Sequence, residues 1–305
     1  RVGRATSHSP RGPRLSVDDP AIITCSISGS LADREQCPAI PYTPEEYGAE
    51  ARRIADEGGV MVHIHARRPD GAPSYATEDF AAITEAIRGE VGDALIVNYS
   101  TGALGVSMEQ RIGYLRALKP EVAAVNMGSM NYAKYSARRK AFIFDTVFPN
   151  PFSEIQTFLE VMREEGITPE HECFDVGHVG ALAPLIDMGL VGPSIHVDLV
   201  LGVTGGIPPT ARNLAAMADN VPAGAHWGLI GIGRVQWRLV GAALVLGGSI
   251  RVGLEDNFYL PDGTMATSNG ELVARARRLT EDLGRRPATV AEARELLGVA
   301  PRVGA

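Results

Sequence analysis

Short apolar runs recur along this chain, and between them apolar side chains return every three or four residues. The runs read as buried strands and the intervening stretches as amphipathic helices. The strands are expected at Ala21–Ile27, within Val60–Arg67, and at Ala94–Asn98, Val122–Asn126, Glu170–Phe174, Ile195–Leu201, His226–Ile230 and Ser249–Gly253. Helix starts are marked by Thr43-Pro44-Glu45-Glu46, Ser107-Met108-Glu109-Gln110, Ser268-Asn269-Gly270-Glu271 and Thr289-Val290-Ala291-Glu292. Each places a hydroxyl at the N-cap and Glu or Gln three residues later. Further helices are expected from Thr77 to about Gly89, Pro151 to Gly166, Val179 to Met188, Thr210 to Ala218, and around Val240, Ala243 and Leu244.

Eight strand–helix pairs in alternation favour a parallel (β/α)8 TIM barrel over an open doubly wound sheet. No linker divides the chain, so we expect an arm over residues 1–20 and one catalytic domain over 21–305 with an extra C-terminal helix. The beat pauses only between Asn131 and Asn150, where a long insertion is expected to form a loop with a functional or interfacial role.

Composition narrows the class. An apolar fraction of 45% supports a substantial core. The net charge of −7, with no basic block, argues against nucleic-acid binding. No apolar run reaches the roughly 18 residues that span a bilayer, so no membrane partner is expected. Cys25, Cys37 and Cys173 lack metal-motif spacing and read as reduced thiols of a cytoplasmic protein.

The chemistry concentrates in Val60-Met61-Val62-His63-Ile64-His65-Ala66-Arg67. Side chains alternate across a strand, so His63 and His65 share a face and can converge on one cation. In a barrel the site lies at the C-terminal strand ends. Strands one and eight close the barrel, which sets Glu255, after strand eight, within reach of this pair. Two histidines and one carboxylate leave a coordination position open, and zinc suits that set best, with Fe(II) or Mn(II) also acceptable. Arg251 and Asp256 flank Glu255, while Asn98, Ser100, Asn126, Ser129, Glu172 and Asp175 sit at other strand ends. Gly231-Ile232-Gly233-Arg234 follows strand seven, where barrels often bind phosphate, so Gly233 and Arg234 are candidates for holding a phosphorylated cofactor. It lacks the third glycine of a dinucleotide fingerprint. His171, His178, His196 and His226 are as readily core histidines as ligands.

Together, five segments resemble the β-keto acid cleavage enzyme family. They are His63-Ile64-His65-Ala66-Arg67, Asn98-Tyr99-Ser100-Thr101-Gly102, Asn126-Met127-Gly128-Ser129-Met130-Asn131, Gly231-Ile232-Gly233-Arg234 and Gly253-Leu254-Glu255-Asp256-Asn257, within a likeness running from Thr24 to the terminal helix. The resemblance implies a homotetrameric barrel with zinc on His63, His65 and Glu255. It implies a reaction of a β-keto acid with acetyl-CoA, giving acetoacetate and a new acyl-CoA. Asp256, oriented by Arg251, would take the C2 proton. Ser100, Thr101, Gly102, Asn126 and Glu172 would line the substrate pocket. Family members acting on an amino-bearing keto acid have glutamate where Leu31 stands and threonine where Ala124 stands, so a less charged tail is expected here. The rival enzyme classes are a CoA-independent metal aldolase or decarboxylase and an amidohydrolase-type hydrolase. The hydrolase pattern needs its histidine pair on strand one and a lysine on strand four, and Val122–Asn126 has none. A barrel that only binds a ligand is the non-enzymatic alternative.

Overall fold

A computed structural model describes residues 16–300; the arm expected over residues 1–20 lies, up to residue 15, outside the described residues. Among the described residues ten strands are formed: β1 (Ile23–Ser26), β2 (Met61–Ile64), β3 (Ile96–Tyr99), β4 (Val122–Asn126), β5 (Met130–Ser136), β6 (Ala141–Phe148), β7 (Thr168–Cys173), β8 (His196–Leu201), β9 (His226–Gly231) and β10 (Ser249–Val252). The helices are α1 (Pro44–Asp56), α2 (Thr77–Val91), α3 (Met108–Leu118), α4 (Phe152–Glu165), α5 (Val176–Gly180), α6 (Leu182–Asp187), α7 (Ala211–Asn220), α8 (Gln236–Val245), α9 (Asn269–Asp282) and α10 (Val290–Leu297). Eight strands close a barrel in the order β1-β10-β9-β8-β7-β4-β3-β2, every pair parallel. The fold is a (β/α)8 TIM barrel.

Alternation along each strand sorts the side chains. Val62 and Ile64 join the apolar layer between strands and helices, where Phe80 of α2 stacks on Tyr114 of α3 with ring centroids 4.3 Å apart. Met61 instead joins Ile22, Ile96 and Val122 in a separate cluster at the strand starts, sealed by Ala293 and Leu297 of α10. Arg294 of α10 and Arg88 of α2 both pair with Glu121, just before β4. The extra helix therefore plugs the barrel floor.

The helix starts follow the cap signals. Thr43 and Thr289 form complete capping boxes with Glu46 and Glu292, while Ser107 and Ser268 accept from the N3 backbone amide. Two expectations are corrected. The stretch between Asn131 and Asn150 is not a loop: β5 and β6 make an antiparallel hairpin, because its alternating aromatic residues pair across the two strands (Tyr132 with Phe144, Tyr135 with Phe142). The helix expected over Val179–Met188 is two short helices, and Asp175, read as a strand-end candidate, caps the first by accepting from Gly177 N.

Candidate metal and acyl-transfer site

The two histidines rise from β2 onto one face, with ring centroids 5.3 Å apart. Because β1 lies between β2 and β10, the chain leaving β10 crosses over the end of β1 and delivers Glu255 to them. Gly253 makes that crossing possible: its φ is +136°, and a Cβ there would meet Ser26 O at 2.1 Å. His65 Nε2 lies 3.4 Å from Glu255 Oε1, and His63 Nε2 lies 4.0 Å from Oε2. One ligand atom from each of the three residues falls within 4.8 Å of the others. The sequence missed Ser26, whose hydroxyl donates to the second Glu255 oxygen.

Arg251 organises the carboxylates around this triad. Its Nε and Nη2 donate to Asp256 at 3.0 and 2.9 Å, and its Nη1 donates to Glu172 Oε1 at 3.1 Å. A fourth contact, from Nη2, reaches a third carboxylate, Glu255 Oε1, at 3.5 Å. Burial lifts Asp256 to about 6 against the pull of Arg251, and lifts Glu172 to about 7. Burial also acts to raise Glu255, but the His65 and Arg251 charges outweigh it and hold Glu255 well below the usual carboxylate range. Burial keeps His63 neutral, with its pKa lowered to about 3. Exposure separates two of the acids: the Asp256 side chain is 0% exposed, and that of Glu172 is 11% exposed.

These residues fit a divalent cation. The buried histidine offers a neutral imidazole, and the depressed carboxylate offers an anion. Three carboxylates against one guanidinium leave excess negative charge in a poorly solvated place, which a cation would balance. His63 Nε2 faces Glu255, while its Nδ1 is buried without a hydrogen-bond partner.

Ser100, Gly102 and Asn126 come together at the ends of β3 and β4: Ser100 Oγ accepts from Gly102 N at 3.2 Å, and a Cβ on Gly102 would lie 3.4 Å from Asn126 Nδ2. Phe148 of the hairpin closes the same corner, 3.8 Å from that Cβ position. Thr101 is buried differently, its hydroxyl bonded to Ala124 O, so it ties β3 to β4. Gly233 departs from the phosphate expectation, because its N–H is spent on Asp256 O at 2.8 Å. Arg234 lies over the Tyr259 ring, 3.6 Å from its centroid. Leu31 is exposed after β1, and Ala124 is buried in β4.

Two features went unread in the sequence. The hairpin leans over the site: burial and the Glu255 charge push the Tyr132 hydroxyl up to about 12, and Phe148 meets Phe174 edge-on with centroids 6.4 Å apart. Beneath the triad lies a second polar layer. Asn98 Nδ2 donates to Glu170 Oε2 at 2.7 Å, Asp198 lies within 4.8 Å of Glu170, and His196 Nε2 lies 3.4 Å from Asp198; burial and the Asp198 charge push the Glu170 carboxyl well above the usual range. Its signal was available, since Glu170 stands two residues before Glu172 and Asp198 two after His196, the period of a strand's inner face.

Residues 20–299 match the family described as beta-keto acid cleavage enzyme. The chain is 37% identical over 278 residues to the 3-keto-5-aminohexanoate cleavage enzyme of Fusobacterium nucleatum, covering 91% of this chain and 97% of that one. It is 35% identical over 294 residues to the 3,5-dioxohexanoate:acetyl-CoA acetone transferase of Paraburkholderia graminis, covering 90% and 94%. Among solved structures, apo ObcA superposes with a TM-score of 0.68 at 21% identity, covering 87% of this chain and 66% of that one. This chain thus spans just under two thirds of ObcA, and at that identity the likeness is one of fold alone. By the extent of the family match and the identity to these relatives, the chain belongs to the β-keto acid cleavage enzyme family.

Proposed function

We propose that this protein transfers an acyl group from a β-keto acid to CoA, consuming acetyl-CoA and releasing acetoacetate. The observation that carries this reading is the meeting of His63, His65 and Glu255 with the Arg251–Asp256 pair at one end of the barrel. Zinc is the proposed metal, held by those three ligands. Once bound, it would polarise the keto oxygen of the substrate and acidify the C2 protons.

Asp256 is the proposed base. Arg251 holds both its oxygens, yet each keeps a lone pair free to accept a proton. Its raised pKa brings it closer to the working pH than an ordinary aspartate. The C2 carbanion attacks the acetyl thioester carbonyl, and the CoA thiolate leaves. That thiolate then adds to the original ketone, and the bond from this carbon to C2 breaks. The acyl group departs as acyl-CoA, and C2, now part of acetoacetate, takes back the proton. Arg251 stays charged throughout, its cation secured by three carboxylates despite burial. Ser100 and Asn126 are proposed to orient the substrate carboxylate, and Arg234 is the proposed contact for a CoA phosphate. Gly102 shapes the same pocket, Thr101 ties its β3 wall to β4, and Gly233 holds the loop that carries Asp256.

The greater exposure of Glu172 favours one variant, in which Glu172 takes the proton and Asp256 anchors Arg251. Comparing Asp256→Asn with Glu172→Gln by C2 proton exchange separates them: exchange surviving in Asp256→Asn and lost in Glu172→Gln exchanges the roles.

The relatives named above act on keto acids with different tails, one amino-bearing and one with a second oxo group. Leu31 and Ala124 offer no charge to a tail, and Tyr132, Phe148 and Phe174 add aromatic surface, so a less charged tail is proposed. The test is acetoacetate release from a panel of β-keto acids, with and without acetyl-CoA. Turnover that ignores acetyl-CoA sinks this reading in favour of an aldolase, decarboxylase or hydrolase. A single catalytic domain preceded by an arm, a cytoplasmic location and a homotetramer belong to the same proposal. Exposed Phe142, Ile143 and Val147 on β6 support association, and light scattering measures it. Among the described residues no helix is long and apolar enough to cross a membrane.

A further inference from the structure

We propose that Glu170 is a positioning residue for His63, setting which imidazole nitrogen is presented to the metal. This rests on the metal reading above. The two nitrogens of His63 face opposite ways: Nε2 looks to Glu255 at 4.0 Å, and Nδ1 looks down to Glu170 Oε2 at 3.8 Å. A histidine that binds a cation through Nε2 carries its proton on Nδ1, and that proton needs an acceptor to fix the tautomer and the ring plane. Nδ1 is buried and lacks a hydrogen-bond partner. The Glu170 oxygen is roughly 0.8 Å beyond hydrogen-bond length, with its carboxylate 0% exposed.

Glu170 is itself held still. Asn98 Nδ2 donates to the same oxygen at 2.7 Å, which leaves that oxygen a second lone pair for the imidazole. Asp198 of β8 lies within 4.8 Å of the carboxyl, and His196 backs Asp198 at 3.4 Å. Strand geometry fixes the whole stack, because Glu170 and Glu172 are alternate inward residues of β7: the upper one meets Arg251 and the lower one meets His63. A carboxyl group buried this deeply has no access to substrate, so its effect on the reaction passes through the ligand.

The experiment measures metal affinity by chelator competition, together with the visible spectrum of the cobalt-substituted protein, in wild type, Glu170→Leu, Asn98→Ala and His63→Ala. Glu170→Leu keeps most of the volume and removes the acceptor facing Nδ1. Its metal affinity is expected to fall roughly 10- to 100-fold, with a shifted cobalt spectrum and unchanged CD. Asn98→Ala is expected to fall less, in the same direction. Wild-type affinity and an unshifted spectrum in a folded Glu170→Leu overturn the inference; should that variant not fold, the same two readouts on Asn98→Ala decide it. Equal metal binding by wild type and His63→Ala overturns the metal reading itself, and the inference with it.

Discussion

The two ends of the barrel interior obey one rule of alternation and carry opposite contents. At the floor, Ile22, Met61, Ile96 and Val122 turn inward and meet Leu297 of α10, with little polar chemistry among them. At the mouth, one or two strand steps further on, the inward positions are Ser26, His63, Asn98, Asn126, Glu172 and Arg251. Burial at the floor removes apolar area from water and stabilises. Burial at the mouth desolvates charge and costs stability, repaid in part by the Arg251 network. Stability and chemistry are thus assigned to different layers of one sheet, and each layer should be breakable without the other.

The largest effect expected from a mouth variant is on turnover. Glu255→Ala removes one proposed ligand and should lower kcat/KM by about 10³-fold or more, with loss of bound metal by elemental analysis. Its metal-free melting temperature should match or exceed wild type, because one of three clustered carboxylates is gone. A large loss of metal-free stability would break the comparison.

A floor variant should do the reverse. Leu297→Ala empties a position 1% exposed in the plug and should cost about 2–4 kcal/mol in urea unfolding. The kcat/KM per folded molecule should stay near wild type. A changed substrate preference would mean that the floor and mouth are coupled.

Acid tests a third kind of buried position. His171 is buried and neutral, its pKa lowered to about 4, with Nδ1 bonded to His196 O at 2.7 Å. The unfolded chain takes up this proton first, near pH 6.5, so the stability present above that pH is lost as pH falls towards 4. By pH 5 the loss should be about 2 kcal/mol from this group. His171→Gln should flatten that part of the urea–pH curve; an unchanged slope would show that other groups carry it.

The smallest effect is expected at the cap of the plug. Thr289→Ala removes the hydroxyl that caps α10 by accepting from Glu292 N and should cost about 1 kcal/mol, seen as a modest fall in melting temperature with activity unchanged.

Much of this was legible in the chain. Period two and period three-to-four patterning set the strand and helix order, and cap residues set most helix starts, because both are properties of neighbours in sequence. His63 and His65 share a face for the same local reason. The hairpin was not legible, since an exposed two-stranded ribbon lacks the buried-face alternation that marks a barrel strand: β6 is exposed along most of its length. Tertiary structure alone decided the rest. Closure of β1 between β2 and β10 brought Glu255 to the histidines, a relation between residues nearly two hundred positions apart. It also spent the Gly233 N–H on Asp256, gave Thr101 to Ala124, and set Glu170 under His63. Such partnerships depend on which inward side chains share a height in the closed barrel, and that height is set by the stagger between strands, which no single strand encodes.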